Sequence, residues 1–177
     1  MLAKAVSAGL TGIEAQIVEI EVDIIRGLPG FAIVGLPDST IRESRERIRS
    51  AVENSGFEFP PQNFVVNLAP AGFKKEGAAF DLPVAVSILT ATGQFSGPAG
   101  ALPIIGELSL DGSVKPVRGA ISMAIALYRN GFRKIIMPRE NRDEAAAIKG
   151  VSVYPGASIK ECLAAIEGGI DAYRPCR

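Results

Sequence analysis

GELSLDGSVKPVRGAISMAIALYRNGFRKIIMPREN, residues 106–141, contains the pattern that decides the fold class. Asp111-Gly112 predicts a tight turn between two short strands, because this dipeptide readily adopts the positive φ angles of hairpin turns. Gly131 then marks the end of an apolar helix and precedes a strand. From here to the end of the chain, the predicted elements are short strands within 102–117, a helix over 118–130, a strand over 133–138, a helix over 140–148, a strand over 151–155 and a helix over 158–167.

The first half of the sequence is richer in strands. A short apolar segment over 2–8 precedes a turn at 9–12, and alternation over 13–25 predicts a long strand, with a possible bulge at Ile17-Val18 where the apolar phase changes. Residues 31–36 are predicted to pair with this strand in a hairpin across the turn at 26–30.

Two helices and one strand complete this half. A helix over 37–56 has Asp38 or Ser39 as its cap and Gly56 after its end. The remaining elements are a buried strand over 63–70 and a helix from Asp81 to Thr92, in which Asp81 is predicted to cap the helix and Pro83 to occupy its first turn. We expect a single α/β domain over 1–168, with a mixed sheet and packed helices, and the start of a linker over 169–177.

The composition excludes several functional classes. The 19 basic residues balance the 19 acidic residues, so any attraction to nucleic acid must be local. The chain has no histidine, which excludes Ser-His-Asp and Cys-His catalysis and the commonest zinc sites. Cys162 and Cys176 have no metal-ligand spacing and favour reduced thiols in a cytoplasmic protein, and no segment predicts a signal peptide or a membrane partner.

Nucleotide-binding motifs are also missing from the sequence. The glycine-bearing GLPGFAIVG, residues 27–35, precedes a strand, whereas phosphate-binding loops open a helix. The chain has no G-x-x-x-x-G-K-[ST] segment, so we expect no ATP site in these residues.

Three groups of charged residues are candidate sites. Glu19, Glu21 and Asp23 share one strand face and could bind a hard cation, although a solvated face is the more frequent arrangement. The basic residues that could contact phosphates or a neighbouring subunit are Arg42, Arg45 and Arg49, at helical spacing, together with Lys74 and Lys75. Glu43 and Glu46 interleave with the arginines, which favours a solvated helix face instead.

Two stretches resemble known proteins. Residues 106–141 are similar to the C-terminal part of Lon-type protease domains, through G-E-x-x-L-x-G-x-V-x-P-x-x-G and a later strand that ends in Pro. Residues 26–85 resemble the N-terminal domain of the magnesium-chelatase-like ComM/YifB family, in which this module precedes a hexameric AAA+ ATPase. The resemblance covers about residues 2–168 and implies the ribosomal S5 domain 2-like, Lon protease-like fold.

The Lon resemblance also implies a Ser-Lys dyad, which this chain lacks. The serine position of the Lon D-G-P-S-A-G segment falls on Ala79, and the lysine position of P-I-G-G-x-K falls on Ile121. We therefore expect no catalytic residues, and the remaining enzymatic hypothesis is a shifted dyad that uses Ser122 or Lys115.

The resemblance further implies a role for the whole protein. It predicts a non-catalytic accessory domain that assists ring assembly and DNA handling in recombination or natural transformation, as the similar Lon-like domain of RadA recombination ATPases does. ATP and Mg²⁺ are expected only for the AAA+ domain, and these residues should hold neither a cofactor nor a metal. The expected partners are other copies in a hexamer and single-stranded or branched DNA. A protein-interaction scaffold that orients the motor is the alternative.

Overall fold

The computed structural model describes residues 1–168 of the 177-residue chain. The strands are β1 (Leu2–Thr11), β2 (Glu14–Ile25), β3 (Gly30–Val34), β4 (Asn63–Ala69), β5 (Glu107–Leu108), β6 (Val114–Lys115), β7 (Lys134–Pro138) and β8 (Ser152–Gly156). The helices are α1 (Ser39–Arg42), α2 (Ser44–Asn54), α3 (Asp81–Ala91), α4 (Ala120–Arg129), α5 (Arg142–Ala146) and α6 (Ile159–Glu167), with a 3₁₀ turn at Arg139–Asn141. The predicted α/β class is confirmed. Cys176 and the predicted linker over 169–177 lie outside the described residues.

The main sheet has four strands in the order β1-β2-β4-β3. β4 runs antiparallel to β2 and parallel to β3, so the predicted hairpin between 13–25 and 31–36 is wrong. Every second residue of β4 is fully buried (Phe64, Val66 and Leu68). The interior place in the sheet therefore goes to β4, and the short β3 lies at the edge.

The β1–β2 hairpin has no bulge. Its register runs without interruption from Leu2 opposite Asp23 to Thr11 opposite Glu14, and the turn is formed by Gly12 and Ile13 rather than by 9–12. The change of apolar phase near Ile17 has another cause. The apolar residues of β2 before Val18 pack against one hydrophobic cluster, and those from Val18 to Ile24 contribute to another cluster on the opposite face.

Helices pack against both faces of this hairpin. On one face, Val18, Ile20 and Val22 join the larger apolar core, which includes most of α3. On the other face, Ala15 and Ile17 pack against a second cluster, which includes Ala8 of β1 and the buried side of α4. The hairpin is therefore the central layer, and the segment before α3 and the segment before α4 meet near its turn.

The predicted helix over 37–56 is interrupted at Glu43, which separates α1 from α2. Its predicted start is confirmed, because the Asp38 carboxylate accepts a hydrogen bond from the Ile41 amide at 2.9 Å. One face of the two helices is buried. Its members are Ile41, Ser44, Ile48, Ala51 and Val52.

The second half follows the predicted alternation of strands and helices. β5 and β6 pair antiparallel around the turn at Asp111-Gly112, and β7 pairs parallel with β8. Within residues 1–168, no helix is both long enough and apolar enough to cross a membrane.

Candidate functional site

An open cleft of about 580 Å³ lies where the turn of the β1–β2 hairpin, the start of α1, the segment before α3 and the segment before α4 converge. The residues that line it are Leu10, Gly12, Asp38, Thr40, Glu76, Gly77, Ala78, Ala79, Glu107, Pro116, Val117, Arg118 and Met123. Ala79, which takes the serine position in the Lon resemblance, is on its wall. The cleft therefore includes the residue on which the Lon resemblance places the serine.

One wall of the cleft is fixed by Asp38. Its Oδ2 accepts a hydrogen bond from the Gly77 amide at 3.0 Å, while its other oxygen caps α1. The backbone adds two bonds, from the Asp38 amide to the Lys75 carbonyl at 3.0 Å and from the Lys75 amide to the Leu36 carbonyl at 2.9 Å. These contacts hold the segment before α3 against the segment before α1.

The side chains of the cleft do not form a nucleophile with a base. Among the described residues of the lining, Thr40 supplies the only side-chain hydroxyl, and none is a serine, cysteine, lysine or histidine. The charged groups are Asp38, Glu76 and Glu107 against Arg118, which leaves an excess of negative charge. Such a lining is poorly suited to bind phosphate.

The residues of the hypothetical shifted dyad lie elsewhere. The Ser122 hydroxyl donates to the Ile13 carbonyl at 3.1 Å, and Ser122 lines a separate surface pocket beside the hairpin turn. Lys115 is exposed on β6, and Ile121 is 39% exposed, with its amide bonded to Glu144 Oε1 at 3.1 Å. None of these three residues lines the cleft.

The basic stripe is only partly brought together. Arg45 and Arg49 line a further pocket, beside Phe59 and the Pro60-Pro61 pair, whereas the exposed Arg42 and Lys74 do not line it. Arg49 Nε also donates to Glu53 Oε1 at 3.3 Å, in a half-exposed ion pair on α2.

Lys75 requires a correction, because its side chain is fully buried. Its Nζ donates to the carbonyls of Gly35, at 2.7 Å, and Pro70, and lies 4.5 Å from the centre of the Phe73 ring. Burial lowers the pKa of this amine. Lys75 therefore connects the loop of Gly35 to the loop of Pro70 by hydrogen bonds, and its buried amine cannot contact phosphate or a neighbouring subunit.

Asp81 also has a role other than the predicted one. It is the first residue of α3, and its carboxylate accepts two hydrogen bonds from Arg47 instead of capping the helix. A signal for this pair was present in the sequence, because Arg47 falls at helical spacing between the inward residues Ser44 and Ala51.

The carboxylates of β2 face solvent on the open part of the sheet. Glu21 lies 3.7 Å from Lys4 Nζ and accepts a hydrogen bond from Asn67 at 3.1 Å, and Asp23 lies 3.7 Å from the amino terminus. Glu19 is exposed. Over residues 1–168, no three acidic or cysteine side chains are grouped so that they could hold a metal ion.

Comparison with known proteins identifies the family. The family model described as subunit ChlI of Mg-chelatase matches residues 20–141, which is more than half of the chain. The chain belongs to the ChlI family. This ChlI-family chain is 40% identical to the protein YifB of Escherichia coli K12, over 93% of its own length and 32% of that protein.

Two further relatives connect this ChlI-family chain to the resemblances in its sequence. The competence protein ComM of Haemophilus influenzae is 35% identical over 94% of the chain and 33% of that protein. The Lon protease of Trichlorobacter lovleyi is 25% identical over 86% of the chain and 20% of that protein. The chain thus spans about a third of the length of the YifB and ComM proteins, and the predicted ComM/YifB and Lon-like relationships are confirmed.

Proposed function

We propose that this ChlI-family chain is a non-catalytic, Lon-like accessory domain of a longer AAA+ ATPase of the ComM/YifB type. The observation that supports this proposal most directly is the lining of the cleft. In the Lon resemblance, the serine position falls on Ala79, whose methyl group is buried, and the lysine position falls on Ile121, which is not among the described residues of the lining.

The other side chains of the cleft do not replace this chemistry. A hydroxyl becomes a useful nucleophile only when a base lies within hydrogen-bond reach. The hydroxyl of the lining belongs to Thr40, and the nearby Asp38 carboxylate already accepts hydrogen bonds from the amides of Ile41 and Gly77. A hydrolytic role therefore has no support from the groups present.

The accessory role that we propose is to assist assembly of a hexameric ring and to contact single-stranded or branched DNA beside the motor, in the cytoplasm. Arg42 and Lys74 are exposed, and Arg45 and Arg49 offer further positive charge on the same helical segment. ATP and Mg²⁺ would bind to the remainder of the longer protein. The name of the relative ComM, a competence protein, is in keeping with DNA handling.

The test is DNA binding by the longer protein that contains this chain. Changing Arg42, Arg45, Arg49 and Lys74 together to Gln should weaken binding of a labelled single strand at least about tenfold. Each lost phosphate contact should also reduce the slope of log K against log salt by about 0.7. A control protein has the exposed Lys149 and Lys160 changed to Gln and should bind normally. Unchanged affinity and slope in the fourfold variant would contradict a DNA contact.

A protein-interaction scaffold is the second candidate, and exposed apolar side chains at the edge of the sheet favour it. Leu28 is 87% exposed, Leu36 is 53% exposed and Val34 of β3 is 47% exposed. An unpaired edge with such side chains can accept a partner. Normal oligomerisation of the longer protein after removal of this domain, measured by light scattering, would count against both this role and ring assembly.

A further inference from the structure

The pocket that Arg45 and Arg49 line, which we call the Arg45 pocket, has a volume of about 240 Å³. It lies between α2, the loop before β3 and the loop before β4. Its lining consists of Pro29, Gly30, Arg45, Arg49, Phe59, Pro60, Pro61 and Gln62. Within residues 1–168, the pocket thus contains two guanidinium groups and no carboxylate. This is the reverse of the acidic excess in the Lon-like cleft, although the chain as a whole has no net charge.

The guanidinium groups are not fully used within the protein. Arg45 Nε is shielded from solvent, yet it has no hydrogen-bond acceptor among the described residues. Glu46 Oε1 lies 3.9 Å from it, which is beyond hydrogen-bond distance. Arg49 is held by Glu53 in a half-exposed pair, and such pairs contribute little. Neither glutamate is among the described residues that line the pocket, whereas both arginines are.

The part of the pocket that contains Phe59 is held by several contacts. The Phe59 ring packs against Phe64 and Phe31, with ring centres 5.4 Å and 6.4 Å away. The Gln94 side chain bonds both the amide and the carbonyl of Glu58 at 2.8 Å, and the Gly30 amide donates to the Gln62 carbonyl at 3.2 Å. Because these contacts already hold the aromatic ring, little side-chain and loop conformational entropy is lost when a ligand binds.

The combination of cations and a fixed aromatic ring indicates the class of ligand. Arginines bind phosphate whether it is free, on a peptide or in a nucleic acid. The ring adds a stacking surface for a base, which a single strand offers and a duplex keeps inside its own stack. We propose that the Arg45 pocket binds one nucleotide of a single-stranded nucleic acid, with Arg45 and Arg49 on its phosphate and Phe59 against its base. This inference rests on the proposed DNA contact and assigns it to a site.

The test uses the 177-residue chain and two matched double variants. R45Q/R49Q removes the cations of the pocket, and K149Q/K160Q removes the same number of exposed positive charges from outside it. Binding of a labelled, unstructured oligonucleotide of about 20 bases is measured by fluorescence anisotropy across a salt series. The pocket variant should lose at least about tenfold in affinity and about 1.4 of the salt slope, and the control should lose less than about threefold.

Phe59→Leu provides the second arm, because it removes the ring and keeps the charges. It should weaken the single strand at least about fivefold and leave a hairpin duplex within about twofold. Circular dichroism establishes that each variant is folded, and Phe59→Tyr, which keeps the ring, should restore binding if Phe59→Leu does not fold.

Three results would overturn the assignment. If R45Q/R49Q keeps its affinity while the variant with Arg42, Arg45, Arg49 and Lys74 all changed does not, the pocket is wrong and the general DNA contact stands. If the unaltered chain binds no oligonucleotide at about 50 mM salt, both the pocket assignment and the proposed DNA contact are wrong. If a phosphoserine peptide binds in a manner that depends on Arg45 and Arg49 while the oligonucleotide does not, the ligand class is wrong.

Discussion

Arg47 holds Asp81 through two parallel hydrogen bonds, from Nε to Oδ2 at 2.8 Å and from Nη2 to Oδ1 at 3.0 Å. The Asp81 side chain is almost completely buried and also accepts the Leu108 amide at 3.2 Å. One ion pair therefore connects α2, α3 and β5. Its geometry is that of a bidentate arginine–carboxylate pair.

Removing one partner of this pair should be costly. Arg47→Met leaves a buried carboxylate without its cation, and we expect a loss of about 3 kcal/mol in the free energy of unfolding at pH 7. Urea denaturation measures this loss. Arg49→Met is the matched control, because the Arg49–Glu53 pair is half-exposed and should contribute less than about 0.5 kcal/mol. Equal losses of unfolding free energy in the two variants would show that the buried Arg47–Asp81 pair contributes no more to stability than the half-exposed Arg49–Glu53 pair.

The cost of Arg47→Met should depend on pH. Burial raises the pKa of the Asp81 carboxyl, and the hydrogen bonds from Arg47 oppose this rise. A carboxyl whose pKa is higher in the folded state binds more protons there, so its contribution to stability falls as pH rises from the unfolded pKa to the folded pKa.

Without the guanidinium group, the pKa of Asp81 in the folded protein should rise further. The pH range between its unfolded and folded pKa therefore becomes wider. The difference in unfolding free energy between the unaltered protein and Arg47→Met should therefore be smaller at pH 4 than at pH 7. Parallel denaturation series at the two values measure this difference. A constant difference would mean that Asp81 does not change its protonation in this range.

Gly35 should tolerate no side chain. Its φ is +102°, and a Cβ atom would lie 2.1 Å from the Leu68 carbonyl oxygen, which is a backbone atom within the sheet. We expect Gly35→Ala to reduce the unfolding free energy by at least about 3 kcal/mol. Gly77→Ala is a suitable control, since Gly77 also has a positive φ, of +84°, but has open space around it and should lose only about 1 kcal/mol. Similar losses would contradict the steric explanation.

Cys162 should be unreactive in the folded protein. Its side chain is fully buried, and burial raises the pKa of the thiol to about 12. In a Cys176→Ser variant, reaction with a disulfide reagent at pH 8 should therefore be at least about a hundredfold slower than in urea. Labelling at equal rates would show that α6 opens readily.

Local patterns predicted most of the elements but not all of their pairings. The alternation in β2 and the caps of α1 depend on neighbouring residues, so the sequence was sufficient for them. The pairing of β3 depends on β4, which lies about thirty residues later and enters between β2 and β3. The change of apolar phase at Ile17 similarly reflects α4, which packs on the opposite face.

The candidate site shows the same division. The positions of Ala79 and Ile121 could be read by resemblance, since a motif fixes them. The burial of Lys75 could not, because its acceptors are carbonyl groups of Gly35 and Pro70, and every residue has a carbonyl. The Arg45 pocket likewise depends on the loop that contains Phe59 lying beside α2. The spacing of the arginines along the sequence does not indicate this position.

The proposal that this domain is non-catalytic is tested most directly by searching for new peptide termini. An unfolded protein substrate is incubated with the purified chain, and its fragments are identified by mass spectrometry, without assuming any cleavage specificity. We predict no termini above those of a blank without protein. New termini that appear with the unaltered chain, and disappear with Thr40→Ala or with the Ser122→Ala/Lys115→Ala protein, would contradict the proposal that this Lon-like domain is non-catalytic.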